Sequence, residues 1–426
     1  MDKSQQLAAQ TVGQVLAGRN LTQTLESAWK THPQLTQQQR AITQDLSYGA
    51  LRHLGKLQAY LRQLLSRKLD DDRVQHLLLV ALYQLEFSKN SPHAVVDHAV
   101  KVAGSFKKPW AKGLVNAVLR NFLRQRAALQ TSLGDDEVAN YSYPQWWINK
   151  LKFQYPQQWQ AMLQAGNERP PMTLRANRRH LSATDYQAKL EALGIESRVI
   201  GKFGIMLDHA LAVEKLPGFA SGDVSVQDYG AQFAGPLLDV HDGMSVLDAC
   251  CAPGGKTGHI LELADVAMTA VDSDAERIAR TRSNLVRLGL EADLIIGDAG
   301  NPFGWWEGEQ KFDRILADVP CSASGIVRRH VDIKWLRREQ DLRVFTTQQA
   351  AILRGLWPLL AIGGKLLYAT CSVFIEENQR QIDSFMKEQA NARQLPLSAG
   401  GFTETHGQLL PCGEHDGFFY ALLEKV

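Results

Sequence analysis

From Met244 onward, short apolar segments alternate with amphipathic ones, and that rhythm leaves few folds open. Ser245–Ala249, Met268–Asp272, Asp293–Gly297, Arg314–Asp318 and Lys365–Thr370 read as strands separated by helix-length stretches, the mark of an α/β doubly wound parallel sheet. Phe418–Leu423 is expected as a final antiparallel edge strand. Ligands of such sheets bind beyond the carboxyl ends of the strands, so the residues found there decide what the domain can hold.

The first strand runs into Asp248-Ala-Cys-Cys-Ala-Pro-Gly-Gly-Lys-Thr257. This is neither the dinucleotide G-x-G-x-x-G pattern nor a P-loop, so a diphosphate ligand is disfavoured. Cys250, Cys251, Ala252, Pro253, Gly254, Gly255 and Lys256 form the candidate cradle, its glycines letting backbone approach a ligand. Asp272 ends the second strand, where a carboxylate suits a ribose diol, and Asp298 follows the third, where an acceptor suits an adenine amine. Acids at three successive strand ends beside a Gly-rich turn fit a nucleoside cofactor with little phosphate, S-adenosylmethionine. Helix capping by Asp272 and Asp298 is the competing explanation.

After the fourth strand comes Asp318-Val-Pro-Cys321, and after the fifth Ala369-Thr-Cys371-Ser372, so both thiols are expected on the cofactor side. Carbon-5 of cytosine is a weak nucleophile. Addition of a thiolate to carbon-6 converts the ring to an enamine that can take a methyl group, after which the C5 proton must leave and the thiol must be eliminated. One cysteine adds and a second group helps it depart. A methyltransferase acting on an exocyclic amine would need no thiol.

The front of the chain is different. Its apolar residues recur at helical spacing, as in Val74, Leu77, Leu78, Ala81, Leu82 and Leu85, and an all-helical bundle is expected. Ser91-Pro92 reads as a helix start in which the Ser hydroxyl caps an amide. Residues 1–130 hold 18 Lys/Arg against 8 Asp/Glu, a surplus that suits a polyanion or a solvated helical surface. The turn-rich stretch Thr131–Pro144 marks a boundary, and a helix, strands at 172–177, 197–200 and 204–207, and a second helix at 185–193 then make a small α/β module. Arg175 and Arg178, with Arg179 and His180, and Arg328, Arg329 and Lys334 further on, are the basic groups expected to meet RNA phosphates, with a solvated loop or helix face as the competing explanation.

The five cysteines include no C-x-x-C pair, which argues against a disulfide framework or a metal site. No signal pattern or membrane-length apolar run is present in the sequence, so a cytoplasmic protein with no membrane partner is expected.

At its two cysteines the sequence resembles the RNA cytosine-5 methyltransferase family, and within it the bacterial ribosomal branch known as RsmB/Fmu/Sun. The likeness extends to Arg40-Ala-Ile-Thr-Gln-Asp-Leu-Ser-Tyr-Gly-Ala-Leu-Arg52 and Lys112-Gly-Leu-Val-Asn-Ala-Val-Leu-Arg120, which are similar to the NusB fold, and to Pro171-Met-Thr-Leu-Arg-Ala-Asn177 and Pro320-Cys-Ser-Ala-Ser-Gly-Ile-Val-Arg-Arg-His330. The resemblance implies a NusB-like helical RNA-binding domain over 1–135, a small α/β adaptor over 140–220 and a Rossmann-like methyltransferase domain over 221–426. It also implies that Cys371 is the nucleophile, that Cys321 assists release, and that Asp318 contacts cofactor and base. The implied substrate is 16S ribosomal RNA, at the cytosine of position 967, and a monomer needing no metal is expected. Cys251 and Val319 stand where Ala is usual in the family, and Val331 where Pro often follows Arg-Arg-His.

Overall fold

The computed structural model describes residues 2–398, 402 and 407–426, which divide into two units. One unit comprises the chain up to Glu168 together with Val327–Glu339; the other comprises Arg169–Ile326 and Gln340–Val426.

The first unit is helical: α1 (Asp2–Leu16), α2 (Leu21–Thr31), α3 (Gln37–Arg52), α4 (Leu54–Leu64), α5 (Asp72–Phe87), α6 (Pro92–Ser105) and α7 (Pro109–Thr131) form the bundle. It continues through α8 (Glu137–Tyr141), α9 (Gln145–Gln154) and α10 (Trp159–Ala165). Helix α5 is apolar nearly all round, with Val74, Leu77, Leu78, Leu79, Val80, Ala81 and Leu82 fully buried, so it is the central helix that the others cover. Thr36 and Gln39 form a reciprocal capping box at the start of α3. The expected Ser91 cap is not made; α6 starts on Pro92 without a side-chain bond from Ser91.

Val327–Glu339 belongs to this helical core although it follows the Cys321 loop in sequence. Val331 is fully buried in the helical cluster. The Asp332 carboxylate accepts from Leu21 N (3.0 Å) and Asn20 Nδ2 (3.2 Å) at the start of α2, and Trp335 Nε1 donates to Leu51 O at 2.7 Å.

The second unit holds two sheets. The smaller is antiparallel, ordered β2–β3–β1–β4, from β1 (Met172–Ala176), β2 (Ser197–Ile200), β3 (Gly204–Leu207) and β4 (Val224–Val226), with α11 (Ala183–Glu191) packed on it. The larger contains β5 (Ser245–Ala249), β6 (Ala267–Asp272), β7 (Asp293–Ile296), β8 (Phe312–Asp318), β9 (Leu360–Thr370), β10 (Ala392–Leu395), β11 (Gln408–Leu409) and β12 (Phe418–Lys425). Its order is β10–β12–β9–β8–β5–β6–β7, with β11 on β12; the five strands β5 to β9 are parallel, and β12 is antiparallel to β9. The helices α12 (Gly255–Leu263), α13 (Ala275–Leu288), α14 (Asp341–Leu356) and α15 (Gln379–Glu388) connect or flank these strands.

From β5 the chain proceeds outward to β6 and β7, then returns to place β8 on the other side of β5. The direction of winding therefore reverses between β5 and β8, and the crevice outside their carboxyl ends is the natural ligand site. Strand β12 is not at the edge as expected. It lies between β9 and β10, because β10, which carries only four residues and no apolar alternation, adds outside it.

Candidate active site

The cradle lies at this crevice. Asp248 is fully buried and its Oδ2 accepts from Thr257 Oγ1 at 2.6 Å, tying the end of β5 to the first turn of α12. Burial lifts its carboxyl to about 7. Gly254 has φ +88°, and a Cβ there would stand 2.8 Å from Thr281 Cγ2 on α13, so helix packing as well as the turn requires glycine. At Gly255 a Cβ would meet nothing closer than Gln227 Nε2 at 3.7 Å, and this is the glycine that leaves the approach open.

Asp272 ends β6 as expected, and its Oδ2 accepts from Ala252 N at 3.2 Å. Its other oxygen accepts from Asp274 N at 3.1 Å and Arg277 Nη1 at 3.4 Å, while Arg277 Nη2 donates to Ala252 O at 2.9 Å. Asp272 thus braces the cradle, and Asp274, not Asp272, caps α13. Asp298 is exposed beyond β7, its Oδ1 taking Gly300 N at 2.8 Å.

The parallel register brings the thiols together. Asp318 pairs with Ala369, and Val319 N donates to Ala369 O at 3.1 Å, so the chain leaves β8 and β9 side by side. Cys321 Sγ and Cys371 Sγ are 3.3 Å apart. The hydrogen bond to Cys371 and burial push the Cys321 thiol well above its ordinary range, with the charge of Glu377 adding to the effect. Beside them, Lys256 Nζ donates to Asp318 Oδ2 at 2.5 Å. Burial works against the charge of this lysine, yet the carboxylate of Asp318 outweighs it and the ammonium is held above its usual range.

Three of the residues expected at RNA stand elsewhere. Arg175 is fully buried: its Nε and Nη2 donate to the Glu262 carboxylate at 2.9 and 2.6 Å, and its Nη1 donates to Gln227 Oε1 at 2.5 Å and Gly255 O at 2.8 Å. Arg328 is buried in the helical unit, where its carbonyl accepts from Arg52 Nη2 at 2.9 Å. Lys334 is fully buried there too, donating to Arg52 O (2.8 Å) and Asn167 Oδ1 (2.7 Å) over the ring of Tyr143, and burial drives its amine well below the usual lysine range. The Arg175 guanidinium and the Lys334 amine hold protein segments together, and all three side chains are buried away from a phosphate. Arg178 is exposed and Arg329 half-buried. The sequence did not single out the buried carboxylates Glu262, which pairs with Arg175, and Glu377, which accepts from Ser322 and Ser372; nothing in their local sequence separates them from surface glutamates.

A switch-point cradle built of backbone and carboxylates, with two unbridged thiols at the neighbouring strand ends, defines a methyltransferase domain of Rossmann-like architecture. Comparison with known proteins narrows this. Residues 236–424 match the family model for the 16S rRNA methyltransferase RsmB/F, residues 2–124 the NusB family, and residues 143–214 the ferredoxin-like domain of RsmF/B-like methyltransferases. The ribosomal RNA small subunit methyltransferase B of Pseudomonas syringae pv. tomato is 43% identical over 98% of this chain and 96% of its own length, and that of Pseudomonas putida is 44% identical over 98% of both. The chain therefore belongs to the RsmB/F family of small-subunit ribosomal RNA methyltransferases, with the helical, adaptor and catalytic folds of that family. Among solved structures, PH0851 superposes with a TM-score of 0.81 over 100% of this chain and 99% of its own at 23% identity, a likeness of fold. A methyltransferase homolog from Pyrococcus horikoshii, 27% identical, covers 68% of this chain and 98% of its own with a TM-score of 0.59. Among the described residues no helix is long and apolar enough to cross a membrane, and no group of three His, Cys, Asp or Glu side chains is placed to hold a metal ion.

Proposed function

We propose that the chain methylates carbon-5 of a cytosine in 16S ribosomal RNA, with S-adenosylmethionine as donor, Cys371 as nucleophile and Cys321 as the group that assists release. The observation that carries this reading is the 3.3 Å approach of the two thiols at the ends of adjacent parallel strands, beside the Lys256–Asp318 pair. No chemistry on an exocyclic amine requires that pair of thiols.

The cradle fits the donor. Its open approach at Gly255 and its acids Asp272 and Asp298 suit a nucleoside rather than a diphosphate. The crystal structure of NSun6 from Pyrococcus horikoshii with SFG shares this fold with a TM-score of 0.60 at 18% identity. Residues 250–256, Asp272, Asp298 and Asp318 would hold the donor, which supplies an electrophilic methyl group.

The chain's own residues do the remainder. Cys371 Sγ adds to carbon-6, and the C5=C6 electrons so displaced leave carbon-5 as an enamine nucleophile able to attack an electrophilic methyl group. The carboxyl of Asp318 stabilises the protonated ring nitrogen of the adduct, and Lys256 keeps that carboxyl oriented. Cys321, held as a thiol by its neighbours, can give its proton to the Cys371 sulfur as the C6–S bond breaks, and the thiolate so formed can take the C5 proton as the C5=C6 bond is restored. The cytosine must leave its stack to reach these groups. The exposed Arg178 and the half-buried Arg329 remain the basic residues proposed to meet RNA.

The test is methyl transfer to 16S RNA with single cysteine replacements. Cys371→Ser should abolish transfer, and Cys321→Ser should accumulate a denaturant-stable RNA–protein adduct. Full activity of Cys371→Ser would overturn the assignment, and an adduct retained by Cys371→Ser but lost in Cys321→Ser would transfer the nucleophile to Cys321.

A further inference from the structure

Behind the two thiols lies a carboxyl group that the chemistry above does not use. Glu377 precedes α15 and is fully buried. Its Oε1 accepts from Ser322 N at 2.8 Å and Gln349 Nε2 at 3.2 Å; its Oε2 accepts from Ser322 Oγ at 2.6 Å and Ser372 Oγ at 2.5 Å. Ser322 directly follows Cys321, and Ser372 directly follows Cys371. One carboxylate therefore receives four donors, and three of these come from the two cysteine-bearing loops. Burial raises the Glu377 carboxyl above its ordinary range, while the bonds from Ser322, Ser372 and Gln349 oppose that rise.

The linkage propagates in one consistent direction. Because the Ser372 hydroxyl proton is committed to Glu377, its oxygen accepts from Phe374 N at 3.0 Å and from the Ser324 hydroxyl at 2.9 Å. Ser324 Oγ accepts in turn from Val373 N at 2.9 Å, and Gly325 N donates to Cys371 O at 2.8 Å. Gln349 from α14 also donates to Pro320 O at 3.0 Å, and Tyr368 Oη donates to Glu377 O at 2.6 Å, fixing the backbone that carries the carboxyl. An acceptor-only group at the centre is needed, since an amide in its place would turn an NH2 toward a donor.

We propose that Glu377 is a positioning residue which, through Ser322 and Ser372, sets the separation of Cys321 and Cys371 that the methylation cycle needs; this rests on the two-thiol reading of the site. The two sulfurs must serve the same pyrimidine ring in succession, and they are not covalently joined. Their spacing is imposed by the loops, and the loops are joined through this carboxylate.

The experiment uses the full chain as wild type, Glu377→Gln, Glu377→Asp and Ser372→Ala. Three properties are read: affinity for S-adenosylhomocysteine, kcat and KM for RNA, and the rate at which diamide couples Cys321 to Cys371. In that coupling the two thiols lose two protons and two electrons to form the disulfide, and diamide is reduced to its hydrazine. Glu377→Gln and Ser372→Ala should leave the S-adenosylhomocysteine Kd and the RNA KM within roughly twofold of wild type while kcat falls, for the Gln variant by about 100-fold, as expected for reacting groups displaced by about 1 Å. Diamide coupling should slow by roughly tenfold or more in the same variants, and Glu377→Asp, which keeps the acceptor-only head, should recover part of both. If kcat and the coupling rate both stay within about twofold of wild type, the proposal is overturned. A parallel loss of ligand affinity, melting temperature and kcat in Ser372→Ala also overturns it, because Glu377 would then be supporting the fold as a whole. Should Glu377→Gln not fold, Ser372→Ala decides alone. A wild type that couples its thiols but transfers no methyl to RNA cytosine would sink the reading of the reaction, while the coupling rates would still judge Glu377.

Discussion

Removing either partner of the Arg175–Glu262 pair should unfold the joint between the adaptor sheet and the cofactor cradle. The pair is bidentate, with 0% and 1% of the two side chains exposed, and the guanidinium also reaches the Gly255 carbonyl at the start of α12. Glu262→Ala would leave a buried guanidinium with only two of its four bonds, and Arg175→Met would leave a buried carboxylate without the guanidinium that bonds it. Each should cost about 3–5 kcal/mol, the usual penalty for stranding one member of a buried pair. The double replacement Arg175→Met with Glu262→Leu removes both charges and should cost less than either single change, because the attraction in such pairs roughly offsets their desolvation. Hydrogen exchange of peptides covering β1 and α12 reads this local stability directly. The same variants bear on RNA, since a phosphate-contacting arginine would contribute about one unit to the slope of log K against log salt. If Arg175→Met left exchange unchanged and lowered that slope by about one, the buried-pair reasoning would be refuted and the phosphate role restored.

Three further outcomes are expected. Asp272→Ala removes the acceptor of Ala252 N and the partner of Arg277, and should weaken S-adenosylhomocysteine binding about 10- to 100-fold by calorimetry; unchanged affinity would remove Asp272 from the cradle. Asp248 protonates at about 7 when folded and near 3.8 otherwise, so its contribution to stability is full below the lower value and is lost as pH rises through the upper one. The melting temperature of wild type relative to Asp248→Asn should therefore fall between about pH 4 and pH 7, and a flat difference would contradict the raised carboxyl. Asp332→Ala, which strips α2 of its acceptor, should destabilise the helical unit by about 1–2 kcal/mol in urea unfolding, and no change would mean that segment 327–339 is not part of that core.

The local patterns of the sequence were enough for the main elements. Apolar runs separated by helix-length stretches located β5 to β9 within a few residues, because strands of a parallel sheet covered by helices need hydrophobic segments that little else in such a chain explains. The 3.6-residue spacing of α5 likewise identified the helical unit. The elements that escaped, β4, β10 and β11, are two to four residues long and take their identity from the strand they pair with. Reading Arg175, Arg328 and Lys334 as RNA contacts meets a related obstacle: charge is legible in a sequence, but the burial of all three is not, nor are the Glu262 carboxylate and the Arg52 carbonyl that Arg175 and Lys334 find far along the chain.

The two cysteines show where that division falls. Each is visible in the sequence as a thiol placed just past a strand, and the choice of residue types there already narrows the chemistry. The sequence also determined the cradle, since a glycine-rich turn and strand-end acids are local features. That the thiols meet at 3.3 Å was decided by the pairing of Asp318 with Ala369. That Glu377 spans the loops carrying them was decided by its meeting Ser322, 55 residues earlier in the chain, as well as the nearby Ser372. Such contacts depend on parallel register and burial, which arise only when segments distant in the chain pack together, and no local pattern encodes them.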